Sequence, residues 1–136
     1  MAREVLTRDA GETESLGFEF GSHLEPGAVV LLEGELGAGK TTFVKGIARA
    51  RGVQVLVTSP TFALMQRYEG EPDVVHVDLF RQEHASGLED LDLERIRERV
   101  IIVVEWPKDL VGSFFGDAAR VTFEHVDETT RRITLP

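Results

Sequence analysis

Thirteen residues, LLEGELGAGKTTF at positions 31–43, place three glycines, a lysine and two threonines directly behind a run of apolar side chains. Those types in that order suit the holding of a nucleotide's phosphates. Glycines let the backbone turn tightly and aim successive N–H groups inward at an anion. A helix that begins just after them adds N–H donors and the positive end of its dipole. Lys40 is placed to reach the β and γ phosphates, and the Thr41 hydroxyl suits a Mg2+ ion. Gly34 to Thr41 satisfies G-x-x-x-x-G-K-[ST], the Walker A pattern. Glu35, Leu36, Gly37, Ala38, Gly39, Lys40, Thr41 and Thr42 are therefore the expected nucleotide-binding residues. The plain alternative is a glycine-rich turn. The position between an apolar strand and an amphipathic helix favours the cradle.

A nucleoside triphosphate arrives with a divalent cation, which needs oxygen ligands at the same rim. In open α/β sheets ligands bind outside the carboxyl ends of the strands. Two apolar runs end there in acids, VVHVD at 74–78 and VIIVVE at 100–105. Either Asp78 or Glu105 is then the Walker B acid, although each alone also suits a turn or a helix cap. His76 shares a strand face with Asp78 and either orients that acid or a water, or fills the core. Arg81 counters phosphate charge or, slightly favoured, pairs with a neighbour. TSPTF at 58–62 lies where P-loop enzymes carry segments that sense the γ-phosphate. Thr58, Ser59 and Thr61 offer hydroxyls there, unless the stretch is a proline-stiffened turn that buries Phe62. Trp106 stacks on a base, packs in the core or anchors a partner.

The elements that must position these groups follow from periodicity. EVLT near the start reads as a short strand. Leu16, Phe20 and Leu24 recur every four positions and predict a helix from Asp9 to Leu24, stopped by EPG. Residues 28–33 predict a strand buried on both faces. A helix over 41–51 turns Phe43, Val44, Ile47 and Ala48 inward and ends at Gly52. VLVTSPTFALMQRYEG reads as a loop leading into a strand, DVVHVDLF as a buried strand, LEDLDLERIRER as a helix, and VIIVVEW as another buried strand. RVTFEHV and RRITL, joined by DETT, predict an antiparallel hairpin at the edge of the sheet. Strands interleaved with helices make this an α/β fold with a partly parallel sheet.

At 136 residues the chain is most simply one domain with a core of its own. It has no cysteine, which excludes disulfides, thiolate catalysis and Cys-ligated zinc. The absence of cysteine suits a cytoplasmic protein, the N-terminus has no apolar stretch of signal-peptide length, and the apolar runs are too short to cross a bilayer. A formal net charge of −9 argues against broad adhesion to nucleic acid or anionic lipid.

The ordered set GELGAGKTTF, TSPTF, HVDLFR and VVEWP closely resembles the bacterial tRNA threonylcarbamoyladenosine biosynthesis ATPases, the TsaE (YjeE) family. The likeness runs from about the first strand to Pro107 and includes GLEDLDLE. It implies a small cytoplasmic ATPase with a P-loop NTPase-type three-layer fold, acting on ATP with Mg2+. It also implies two protein partners, TsaB and TsaD, of which TsaD transfers a threonylcarbamoyl group to the adenosine beside the tRNA anticodon. The ATPase reaches tRNA only through that complex. By the same resemblance Thr41 and Glu105 are Mg2+ ligands, and Asp78 orients water or metal. The TSPTF loop, with Thr61, is a switch, while Thr7 and the final hairpin border the base. Phe80 stands where the family often has tyrosine, and the chain ends soon after the hairpin.

The mechanism expected is in-line attack of water on the γ-phosphate, slow without partners, with Lys40, Asp78 and Thr61 as the catalytic set. Two rivals are enzymes. A small-molecule kinase needs a basic lid that is not apparent. A GTPase is suggested only by DLVG at 109–112, with no guanine-reading motif after it. The third rival is a nucleotide-gated adaptor that scarcely hydrolyses.

Overall fold

Strands without a polar face must be covered on both sides, and three of the runs read above are of that kind. The computed structural model describes residues 2–58, 65–80, 93–107 and 117–136. Among them seven strands form one sheet: β1 (Arg3–Thr7), β2 (Val29–Gly34), β3 (Met65–Tyr68), β4 (Val74–Asp78), β5 (Ile101–Glu105), β6 (Ala119–His125) and β7 (Arg131–Leu135). Their order is β1-β7-β6-β2-β5-β4-β3. The central strands β6, β2, β5 and β4 run parallel, while β1, β7 and β3 are antiparallel to their neighbours.

The two faces bury alternate residues of the same strands. Val30, Leu32, Val74, Ile101, Val103 and Phe123 pack under Leu16 of α1 (Ala10–Ser22) and Phe43, Val44 and Ile47 of α2 (Lys40–Ala50). Val29, Leu31, Val75, Val77, Ile102 and Val104 pack on the other side with Leu79 and with Leu93 of the short α3 (Leu93–Ile96). The result is an α/β fold of three layers.

Asp9 caps α1, its carboxylate accepting the Glu12 N–H at 2.8 Å. The inward face of α1 is Thr13, Leu16, Gly17 and Gly21, so small residues share the stripe that leucine and phenylalanine spacing suggested. A β-carbon on Gly17 would stand 2.2 Å from the Phe43 carbonyl oxygen, and one on Gly46 would stand 2.0 Å from that of Glu14. The two helices touch backbone to backbone. That contact holds the start of α2 against the sheet, with the Phe43 ring centroid 5.6 Å from that of Phe20 and 5.4 Å from that of Phe123.

Two expectations change. The C-terminal hairpin is antiparallel as read, but it does not form the edge of the sheet. β1 pairs with β7 from Arg3 opposite Leu135 to Thr7 opposite Arg131 and is itself outermost. Strand order depends on contacts across the whole chain, which periodicity does not carry. The helix read over 88–99 lies outside the described residues up to 92; beyond it α3 gives way to a 3-10 turn at Arg97–Arg99.

Candidate functional site

The register of the parallel strands brings three ends to one rim. Leu32 of β2 and Asp78 of β4 both lie opposite Glu105 of β5. Directly after β2 the chain turns through Gly37, at φ 77°, and Gly39, at φ 104°. A side chain at either position would be strained. The N-cap of α2 is Gly39, which has no side chain to cap the helix, so its first turn offers N–H donors to an anion. The Ala38 N–H instead closes the turn on the Glu35 carbonyl at 3.1 Å.

Lys40 is 4% exposed. Its ammonium donates to the carbonyls of Gly34 at 2.6 Å and Glu35 at 2.8 Å, and lies 3.9 Å from the centroid of the Trp106 ring. Burial lowers its pKa, and the carboxylates of Glu105, Asp78 and Glu35 pull in the opposite direction. Trp106 adopts φ 58°, the one left-handed conformation of a residue other than glycine among those described. Its N–H donates to the Leu32 carbonyl at 3.2 Å, and its ring packs 4.8 Å from that of Phe80.

The Thr41 hydroxyl donates to Glu105 Oε2 at 3.0 Å. The same oxygen lies 2.5 Å from Nε2 of His76, whose side chain is wholly buried. An ionised carboxylate only accepts, so the hydrogen of this contact belongs to Nε2, and Nδ1 has no hydrogen-bond partner among the described residues. Asp78 is half-buried and forms a local turn, its Oδ1 accepting the Phe80 N–H at 2.9 Å. Burial pushes its carboxyl above the usual range, Glu105 adds to the rise, and the Phe80 N–H opposes it.

The far end of the hairpin leans on the phosphate-loop backbone. His125 Nε2 lies 3.3 Å from the Leu36 carbonyl, and Arg131 donates to that of Gly37 at 3.4 Å. Beside them is a cavity of about 120 Å3, lined by Asp9, Ala10, Thr13, Gly37, Gly39, Thr42, Thr129 and Arg131. Thr7, expected at the base, does not line it. Its hydroxyl bonds that of Thr13 at 2.7 Å and so stands one side chain further back.

Lys40, Thr41, Asp78 and Glu105 thus meet at one place, and Gly37, Gly39 and Thr42 line the adjoining cavity. Glu35 and Leu36 are exposed on the loop. Ser59, Pro60, Thr61, Phe62 and Arg81 lie outside the described residues. Thr58 is exposed, and its N–H meets the Tyr68 hydroxyl at 3.2 Å. Sequence reasoning paired His76 with Asp78, whereas its hydrogen bond crosses to Glu105 on the next strand. It also left Thr129 and Arg131 unnamed, because no local motif marks them.

This donor set fits a magnesium–nucleotide complex. It joins an ammonium, an uncapped helix start, and a hydroxyl in contact with a carboxylate. Among the described residues no three histidine or acidic side chains gather to hold a metal by themselves. Mg2+ is commonly held by one or two carboxylates together with substrate phosphates.

The sequence model of the family described as threonylcarbamoyl adenosine biosynthesis protein TsaE matches residues 7–133. The chain belongs to the TsaE family. A TsaE of Mycobacterium tuberculosis strain H37Rv is 40% identical over 133 residues, covering 90% of this chain and 75% of that one. The Treponema pallidum TsaE is 32% identical and covers 96% of this chain and 97% of its own. The crystal structure of YdiB from Bacillus subtilis superposes with a TM-score of 0.77 at 26% identity, over 99% of this chain and 84% of that one. With TsaE membership come Mg2+-dependent ATP hydrolysis and a place in tRNA threonylcarbamoyladenosine biosynthesis. Among the described residues no helix is long and apolar enough to cross a membrane.

Proposed function

We propose that the residues gathered at this rim carry the ATPase reaction of this TsaE chain, and that the chain works bound to TsaB and TsaD. The observation that carries the assignment is the contact between Thr41 and Glu105, 64 positions apart in sequence, beside the Lys40 ammonium. Lys40 and the first N–H groups of α2 bind the phosphates. Thr41 and Glu105 hold Mg2+, which when bound neutralises charge on the β and γ phosphates. Asp78 orients the attacking water, with its Oδ1 already engaged by the Phe80 N–H. A carboxyl raised above its usual pKa is a better proton acceptor than an ordinary one. Thr61 completes the set from the switch loop. The nucleoside end of ATP lies toward the cavity between Thr13, Thr42, Thr129 and Arg131, with Thr7 supporting Thr13 from behind.

Partner binding supplies what a slow enzyme lacks, since a catalytic site completed only in complex ties hydrolysis to turnover of the TsaD reaction. The test compares wild type with Lys40→Ala for ATP binding and for nucleotide-dependent support of TsaB–TsaD. Loss of a charged donor to phosphate is expected to weaken ATP binding by roughly 10- to 150-fold, and to abolish the nucleotide-dependent work. Undiminished work by the variant contradicts the assignment. Release of inorganic phosphate without a phosphorylated metabolite separates hydrolysis from kinase transfer.

A further inference from the structure

Strand β4 reads Val-Val-His-Val-Asp, and His76 is the one polar side chain among its buried residues. An imidazole in that position is costly, because Nδ1 is buried without a partner among the described residues. Valine there would match its neighbours and leave nothing unsatisfied. The structure gives one return for the cost, the 2.5 Å contact between Nε2 and Glu105 Oε2. Geometry explains the choice of partner. β4 and β5 are parallel with His76 opposite Val103 and Asp78 opposite Glu105, so the Glu105 side chain stands on the same face as the imidazole.

The contact has a consequence for the metal. Glu105 has three side-chain torsions, and Lys40 is close enough to attract its carboxylate electrostatically. His76 grips Oε2 from inside the core while the Thr41 hydroxyl meets it from the phosphate side. Together they hold Oε2 in place. Oε1, 3.3 Å from Thr41 Oγ1, is turned to the same place.

We propose that His76 is a positioning residue for Mg2+: it holds the Glu105 carboxylate in the orientation that ligates the ion, so metal affinity depends on an imidazole that never touches the metal. The inference rests on Glu105 being a magnesium ligand, and a test must fail differently for the two ideas.

Calorimetric titration of Mg2+ into the ADP complex serves, with ADP affinity in EDTA measured alongside. The proteins are wild type, His76→Leu, His76→Gln and Glu105→Gln. Loss of an outer partner of a metal-ligating group typically lowers metal affinity 10- to 100-fold. His76→Leu is expected to show a fall of about that size, with ADP affinity in EDTA within about twofold of wild type. His76→Gln, whose amide N–H can stand near the position of Nε2, is expected to recover most of the loss. Unchanged Mg2+ affinity in His76→Leu, with a clear loss in Glu105→Gln, makes His76 a packing residue and overturns the proposal. Unchanged affinity in Glu105→Gln as well removes Glu105 from the metal, and the proposal falls with that reading. If His76→Leu does not fold, the wild-type protein still decides. The Nε2–H proton resonance of His76 is expected to shift when Mg2+ is added to the ADP complex, and a resonance that stays in place overturns the proposal.

Discussion

Asp78 and Glu105 sit opposite one another in adjacent strands, yet their surroundings differ, in keeping with the separate roles proposed for them. Glu105 is buried and engaged by Thr41 and His76, as befits a fixed ligand. Asp78 is half-buried with a raised pKa, as befits a group that handles a water proton. A carboxyl raised in the folded state binds its proton more tightly there than in the unfolded chain. Its favourable contribution is therefore fully present below the ordinary aspartate pKa and is lost as pH rises through the folded value. At neutral pH the ionised Asp78 weakens the ligand-free fold. Asp78→Asn is accordingly expected to melt at a higher temperature than wild type near pH 7, with the gap closing as the pH is lowered past the ordinary aspartate range. ATP turnover should fall roughly a hundredfold or more, the scale of a lost proton acceptor. Thermal melts across pH, paired with phosphate release, check both halves. A variant that is less stable at neutral pH yet fully active contradicts the division of roles.

Helices α1 and α2 set where the phosphate loop ends, because α2 begins at Lys40 and is pinned to α1 through glycine. Gly46→Ala would gain about 1 kcal/mol of helix propensity in isolation. Here the new methyl meets the Glu14 carbonyl at 2.0 Å, a backbone atom that cannot swing aside. A net loss of about 1–3 kcal/mol is expected from urea denaturation; an unchanged or raised midpoint would show that the helices do not meet as described. The same pair shows what the sequence made legible. Phe43, Val44 and Ile47 declared the buried face of α2 by spacing alone, and the Walker A glycines declared the loop, since few other arrangements need those residues in that order. The inward face of α1 was half hidden, because Gly17 and Gly21 are buried for their smallness and carry no hydrophobic signal. Asp78 and Glu105 were readable as acids at strand ends. That Thr41 and His76 both belong to Glu105 was not, because it depends on which strands lie side by side. The placement of β1 outside the hairpin was hidden for the same reason: pairing partners such as Val5 and Ile133, 128 positions apart, leave no local trace.

Across the whole molecule, the parallel centre of the sheet gathers the chemistry at one rim, and the antiparallel additions frame it. The hairpin reaches the loop through His125 and Arg131, so the C-terminal strands contact the phosphate loop that lies nearly ninety positions earlier. The net charge of −9 argues against broad electrostatic adhesion of this surface to nucleic acid. Membership in the TsaE family sets the biological process, and the means are those proposed for the rim: amides and one ammonium for the phosphates, with a hydroxyl and a carboxylate for the metal. A crystal grown with Mn2+ in place of Mg2+ and a non-hydrolysable ATP analogue tests that arrangement most directly. The anomalous signal of manganese is expected between Thr41 Oγ1 and Glu105, about 2.1 Å from its oxygen ligands, with the phosphates lying across the start of α2. A manganese peak elsewhere, or an analogue bound away from Lys40, would contradict it.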